Sequence, residues 1–457
     1  MADGAAAVPR ATLSLFDAVA IMIGAVVGVG IFKTPALVAA NVETGWAFIA
    51  VWVAGGVVTL IGALCYAELA SAYPNAGGEY HFLARAFGRP LAVLFGWARG
   101  SVIQTGAIGA VAFVFGDYAN TFLPLGAHGA AIHAALAILA LTAVNVLGTP
   151  HGSALQNVMS ALLVFTVLAV IAAGFAAGPA PSAPPPPADA GAGASAGASA
   201  GALGMAMILV LLTYGGWNEV TYLSGELRDA RRNMVRVLLI GSAALTVLYV
   251  AANAAILWVL GLGALRDSPA VGTDVMRLAL GETGAVLIGL FVALAALSTL
   301  NATILTGARV YYAAARDLSI LPGIGQWSAR GVAPANGLML QAVLALALVG
   351  LGAATRTGFQ AMVDYTAPVF WAFMFLVGLS LIVLRRRSPR RALPFRVPLY
   401  PLTPLLFCAS CLAMLYASIV HTGIGALVGI GVVLLGTPLL FFTRPAPPRA
   451  SPALPAE

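Results

Sequence analysis

Charge is what this 457-residue sequence has least of. Only 9% of the residues are charged and 61% are hydrophobic, whereas soluble domains carry about 25% charged residues. That gap excludes an ordinary water-soluble domain and indicates a chain built for lipid. Strands of dyad alternation are missing, which excludes a membrane β-barrel. The N-terminus, MADGAAAVPRATLSLFDAV, lacks a basic region, a short apolar stretch and a small-residue cleavage site, so no signal peptide is expected and the first span is retained. No G-x-x-x-x-G-K-[ST] occurs, which excludes ATP-driven transport through a P-loop. The five histidines, His81, His128, His133, His151 and His421, fall in loops or span ends without metal spacing, which argues against a membrane enzyme. A channel would offer a polar filter or charged ring, and none is visible. Cysteine occurs three times. Cys408 and Cys411 form a C-x-x-C, but inside the apolar run LLFCASCLAMLY, where they read as small packing residues rather than a redox or metal pair.

What is present is a succession of apolar runs long enough to cross a bilayer, each needing about 20 residues. About twelve helices are predicted, at 13–40, 45–73, 90–120, 129–148, 154–177, 202–225, 236–262, 284–313, 335–353, 359–384, 400–420 and 424–443. Between the second and third, GGEYHFLARAFG (77–88) is too polar to cross and reads as an amphipathic interfacial helix. Arginine gives the orientation. With the N-terminus in the cytoplasm, inner loops hold Arg85, Arg89, Arg228, Arg231, Arg232, Arg236, Arg316, Arg330 and the run from Arg385 to Arg396. Outer loops hold only Arg266, Arg277 and Arg356, with Lys33, the one lysine. Both termini are therefore expected inside. The net charge of +7 is spread over these loops and not over a basic domain, so no nucleic-acid partner is expected.

Two of the spans carry glycine where a helix is weakened by it, at roughly 1 kcal/mol per residue against alanine. The first contains GAVVGVGIF (24–32) and the sixth LLTYGGWNEV (211–220). Matching interruptions in the opening helix of each half point to an inverted-repeat transporter and to its binding site. A helix broken in lipid is tolerable only where protein or a water-filled cavity meets its polar groups. The break frees N–H groups suited to a carboxylate and C=O groups suited to an ammonium, and together these suit a zwitterionic amino acid. Close helix packing through Gly24-x-x-x-Gly28 is the alternative for the first span.

Four stretches in order, IGAVVGVGIFKTP (23–35), YAELASAYPNAGGEYHFLARAFG (66–88), LTYGGWNEVTYLSGELRDARRNM (212–234) and LPFRVPLYPLTPLLF (393–407), resemble the amino acid–polyamine–organocation transporters. Within that superfamily the chain is similar to bacterial permeases related to the L-type amino acid transporters. The resemblance covers nearly the whole chain. It implies an all-α integral membrane protein with the five-plus-five inverted repeat of the bacterial leucine transporter, helices 1 and 6 discontinuous, and two further C-terminal helices. On that plan residues 1–12 are a cytoplasmic tail and 13–177 the first repeat. A flexible external Pro/Ala/Gly loop (178–201) leads to the second repeat (202–384). A basic cytoplasmic loop (385–399), the last two helices (400–443) and a cytoplasmic tail (444–457) follow.

Carried over, the resemblance places the substrate carboxylate at the N–H groups of Gly28, Val29 and Gly30. The ammonium goes to the carbonyls of Val26, Leu212, Thr213 and Gly215. Gly24, Gly216, Trp217 and Asn218 would support the breaks, Asn218 bracing the unwound backbone and Trp217 packing. Three departures stand out. Val29 replaces a serine common in relatives, Leu212 replaces an aromatic gate residue, and Leu163 replaces a lysine that many proton-linked or exchanging relatives carry. Ser298 and Thr299 face the region where sodium-coupled members of the wider fold bind their ion.

Ionisable residues within spans are functional candidates. Glu68 is expected to pair with a cytoplasmic arginine at an inner gate, and Glu226 and Arg228 read as structural charges. Asp364 is a candidate proton acceptor or outer-gate partner, with weaker claims for Asp117 and Arg99. Gln104 either lines the pocket or bonds a neighbouring helix. The expectation is a secondary active amino acid permease of the bacterial inner membrane, a monomer or homodimer without cofactor, working by alternating access. Substrates are expected to be neutral, with proton symport or exchange. Cationic amino acid or polyamine substrates and sodium coupling are the alternatives, and a membrane enzyme or channel the rivals of another class.

Overall fold

A computed structural model describes residues 9–28, 30–179, 200–268, 270–328, 333–355, 358–388, 392–422 and 424–443. Val29, most of the Pro/Ala/Gly loop and both ends of the chain lie outside the described residues, as does the side chain of Asp364. The described residues form helices, with no strand longer than an isolated bridge.

Helix α1 (Leu15–Val26) begins at a capping box. The Ser14 hydroxyl accepts from Asp17 N–H, and the Asp17 carboxylate accepts from Ser14 N–H at 2.8 Å. The chain leaves this helix at Val27, and α2 (Gly30–Ala39) departs at 47°. Then come α3 (Gly45–Ala72), the short α4 (Glu79–Phe87) and α5 (Arg89–Ala98). A π turn at Arg99–Ile103 joins α5 to α6 (Gln104–Phe122), so the two make one span. The next helices are α7 (Gly129–Leu147), α8 (Thr149–Ala176) and α9 (Ala200–Thr213). A glycine turn and a 3-10 turn (Trp217–Leu223) lead to α10 (Ala230–Asp267) and α11 (Val271–Asp317). The chain ends in α12 (Ala335–Thr355), α13 (Gly358–Arg387), α14 (Leu402–Thr422), α15 (Ile424–Leu434) and a 3-10 turn (Thr437–Phe442).

Among the described residues ten helices are long and apolar enough to span a bilayer, and the bent α1–α2 pair makes an eleventh. The twelfth predicted span is shorter than expected. Helix α15 has 11 residues, about 16 Å at 1.5 Å per residue against a hydrocarbon layer of about 30 Å. Large apolar side chains lie on the outside, Trp46 at 86% exposure among them, as befits a multi-pass membrane protein. The interfacial reading of 77–88 needs correction. Helix α4 forms, but Glu79, Tyr80, Phe82, Leu83 and Ala86 are buried within the protein.

Polar ties hold the far ends of α2 and α3. Arg266, at the end of α10, donates to the carbonyls of Ala39 (3.0 Å) and Val42 (2.5 Å), holding the C-terminal end of α2. Glu68 receives both Nε and Nη2 of Arg385, at 2.7 and 2.6 Å, and the N–H of Val397 at 2.6 Å. The sequence expected an arginine partner here, and the fork geometry of guanidinium and carboxylate supplies it. Arg385→Ala strands a buried carboxylate, which costs about 3–5 kcal/mol. The low end is expected because Val397 N–H remains. Thermal unfolding in detergent will read this as a lowered midpoint, and an unchanged midpoint would show that the pair stabilises nothing.

His81 on α4 gives a pH dependence. Burial, reinforced by the charge of Arg85 and opposed by Asp317, lowers its pKa to about 4. The unfolded imidazole titrates near pH 6.5. Between those values the unfolded chain binds a proton that the folded protein refuses. The stabilisation is therefore present above pH 6.5 and is lost as the pH falls toward 4. Unfolding midpoints at pH 7.5 and 5 should differ less in His81→Gln than in the parent, and equal differences would refute this assignment.

Candidate functional site

The two glycine breaks lie against each other. Helix α1 makes its last backbone bond from Val27 N–H to Ile23 C=O at 2.8 Å. Helix α9 runs to Thr213, after which Gly215 N–H turns back to Leu212 C=O at 3.1 Å. Gly216 has φ +106°, and a Cβ there would meet Ala25 C=O at 3.0 Å. Left-handed backbone and close approach both require glycine at this crossing. A Cβ on Gly30 would stand 3.1 Å from Thr213 Cγ2. The Thr213 hydroxyl lies 2.9 Å from that of Thr34, tying α9 to α2.

Tyr249 of α10 joins the breaks. Its hydroxyl is 2.8 Å from Val26 C=O and 3.3 Å from Thr213 C=O. Two carbonyls expected to face an ammonium thus converge on one donor. The Leu212 side chain is 46% exposed. An apolar cavity beside the second break is lined by Thr59, Gly215, Trp217, Trp371, Met374 and Phe407. Trp217 packs edge-on against Tyr66, ring centroids 4.8 Å apart.

Gly24 serves a different purpose from exposing backbone. A Cβ there would fall 1.9 Å from Gln156 Nε2 and 2.7 Å from Ser298 Oγ. Gln156 on α8 donates to Ser160 Oγ (3.0 Å) and Ser298 Oγ (2.8 Å), and its Oε1 accepts from Asn301 at 2.8 Å. Ser160 donates to Ala20 C=O and Thr299 to Gly24 C=O, at 2.7 and 3.1 Å. Ser298 and Thr299 therefore do reach the first break, but within a network centred on a glutamine amide. Leu163, two turns beyond Gln156 on α8, is buried in the apolar core. The polar side chains that α8 presents to α1 are Gln156, Ser160 and Asn157, the last donating to Asp17 at 2.6 Å.

Other expectations change. Gln104 is buried and donates to Thr303 C=O of α11 at 2.6 Å, so its amide serves helix packing. Among the described residues the Asn218 amide bonds a carboxylate and not unwound backbone. Its Nδ2 reaches Glu79 Oε1 at 2.8 Å, because α4 inserts a carboxylate beneath the second break. Glu79 also accepts from Tyr66 (2.7 Å), Tyr222 and Arg99 (3.4 Å). Arg99 in turn donates to Glu219, whose other oxygen lies 2.7 Å from Thr306 Oγ1. Arg228 is exposed, and the partner of Glu226 is Arg309 of α11, at 2.8 and 3.1 Å, joined by Thr149 at 2.6 Å. Arg309 leaves little mark on hydropathy, because one arginine barely lowers the mean of so long an apolar helix. Among the described residues no three His, Cys, Asp or Glu side chains come together as metal ligands.

Comparison with known proteins agrees with this architecture. The family model for amino acid permeases matches residues 13–437. The chain is 29% identical over 412 residues to the b(0,+)-type amino acid transporter 1 of Mus musculus, covering 89% of this chain and 82% of that protein. The protein of the same name from Homo sapiens is 29% identical over 390 residues, covering 84% and 78%. The large neutral amino acids transporter small subunit 2 of Mus musculus is 26% identical over 437 residues, covering 94% and 80%.

Proposed function

The chain belongs to the amino acid permease family and is a transporter rather than an enzyme, and we propose that it carries neutral amino acids across a bacterial inner membrane by alternating access. The observation that carries this reading is the crossing of two glycine-broken helices, where Gly216 packs on Ala25 C=O and the Val26 and Thr213 carbonyls come together around the Tyr249 hydroxyl. An α-ammonium suits those carbonyls, and an α-carboxylate suits the N–H groups that open α2 at Gly30. Neutrality of the side chain is supported by the apolar lining beside the second break and by the name of one relative, which specifies large neutral amino acids. The arginine distribution supports cytoplasmic termini.

Transport is secondary, by proton symport or exchange. Sodium coupling at Ser298 and Thr299 has less support, because both hydroxyls are already engaged by Gln156 and Gly24. Purified protein in liposomes, offered a panel of labelled amino acids with and without pH and sodium gradients, tests the reading. Leucine-sized neutral amino acids should enter or exchange, and arginine should compete weakly. Absence of uptake and exchange for every amino acid would defeat it.

A further inference from the structure

Behind the second break, two carboxylates share one guanidinium. The side chains of Arg99, Glu79 and Glu219 are 1%, 3% and 12% exposed. Fully ionised, the three carry a net charge of −1 in a site almost closed to solvent, where an unbalanced charge is costly. Tyr66 on α3, Tyr222 on the 3-10 turn and Tyr311 on α11 face the group, with Cys411 of α14 beyond Tyr66. None of them adds a positive charge. Arg309, three residues along α11 from Thr306, is engaged by Glu226.

Hydrogen counting separates the two carboxylates. Glu79 accepts from four donors and is satisfied as an anion. Glu219 has Arg99 and the Thr306 hydroxyl. Thr306 Oγ1 also lies 2.9 Å from Ala302 C=O. A hydroxyl has one proton, so Thr306 cannot serve both Glu219 and Ala302. With a proton on Oε2, Glu219 donates to Thr306, Thr306 donates to Ala302, and the cluster becomes neutral. Arg99 Nε and Asn218 Oδ1, both buried here, have no partner among the described residues.

We propose that Glu219 is the proton-binding carboxyl of this transporter, taking one proton from water on one side of the membrane and releasing it on the other in each cycle. This rests on the reading of the chain as an amino acid transporter and supplies its coupling ion. Glu219 stands three residues beyond Gly216. In this structure it holds Arg99 with one oxygen and Thr306 of α11 with the other, so a change in its charge acts directly on the segment leaving the second break.

Liposomes containing the full chain provide the test. Under an inward proton gradient of one pH unit, the parent protein should accumulate labelled leucine up to about tenfold, the limit for one proton per substrate. Glu219→Gln should still exchange leucine at equal pH but accumulate none, with no leucine-dependent acidification of the lumen. Accumulation by Glu219→Gln equal to the parent would overturn the proposal. So would a parent that exchanges leucine but ignores the gradient, although transport itself would stand. Should Glu219→Gln not fold, Thr306→Val serves, and an unshifted pH midpoint of uptake in it would overturn the assignment. Infrared spectra give a readout independent of transport. A protonated-carboxyl band present in the parent and missing in Glu219→Gln is expected even if no amino acid moves, and its persistence in the variant would overturn the proposal.

Discussion

Gly30→Leu is expected to abolish leucine uptake and exchange while leaving a helical, membrane-inserted protein. The first carbon of the new side chain would meet Thr213 Cγ2 at 3.1 Å and its hydroxyl at 3.4 Å. Three further carbons have to fit between α2 and α9 where the Thr213–Thr34 bond now closes the gap. The two breaks must move apart, and the Val26 and Thr213 carbonyls cease to face one point. A displacement of about 1 Å in a site of this kind costs on the order of a hundredfold in rate. Counterflow of labelled leucine in liposomes measures it, with circular dichroism and gel filtration to confirm insertion. Normal transport would mean that the glycine serves packing alone.

The largest effect on stability is expected at Arg309. Arg309→Met removes both guanidinium contacts to Glu226 and the one to Thr149, leaving a carboxylate that is buried. The expected loss is about 3–5 kcal/mol, because among the described residues only the Thr149 hydroxyl remains to a carboxylate more deeply buried than its counterpart at Arg385. Replacing both partners, Arg309→Met with Glu226→Leu, should recover most of it, since an apolar pair of similar volume has no charge to strand. Thermal unfolding in one detergent decides between these outcomes. A double variant no more stable than Arg309→Met alone would show that the guanidinium stabilises through packing.

The sequence exposed the spans because lipid demands long apolar runs, and the breaks because glycine is costly inside helices. Glu68 was legible for a related reason: a charge at the end of a span needs a partner, and the arginine-rich run after α13 was at hand. The partners made across the fold were not legible. Tyr249 is one aromatic residue in an apolar helix, and only the approach of α10 to α1 and α9 gives its hydroxyl two carbonyls. Gln156 and Ser160 share a face of α8 at a spacing of four, yet the close contact they make depends on Gly24 of another helix. Glu79 reads as a residue of a polar connection until α4 folds inward beneath the second break. In each case the signal lies in a pair whose members are too far apart in the chain for periodicity to register.

The strap from Arg266 has a mechanical consequence. The second half of the first broken helix is fastened at its far end to α10 and near its start to α9, through Thr34. The first half is fastened to α8 and α11, through Asp17, Ala20 and Gly24. The first half also meets α10, where Tyr249 donates to Val26 C=O, so the two arms share that beam and differ in the others. When α8 and α11 shift relative to α9, the arms pivot between α1 and α2, which already meet at 47°. Movement of the frame is then delivered as a change of angle at the crossing of the two breaks.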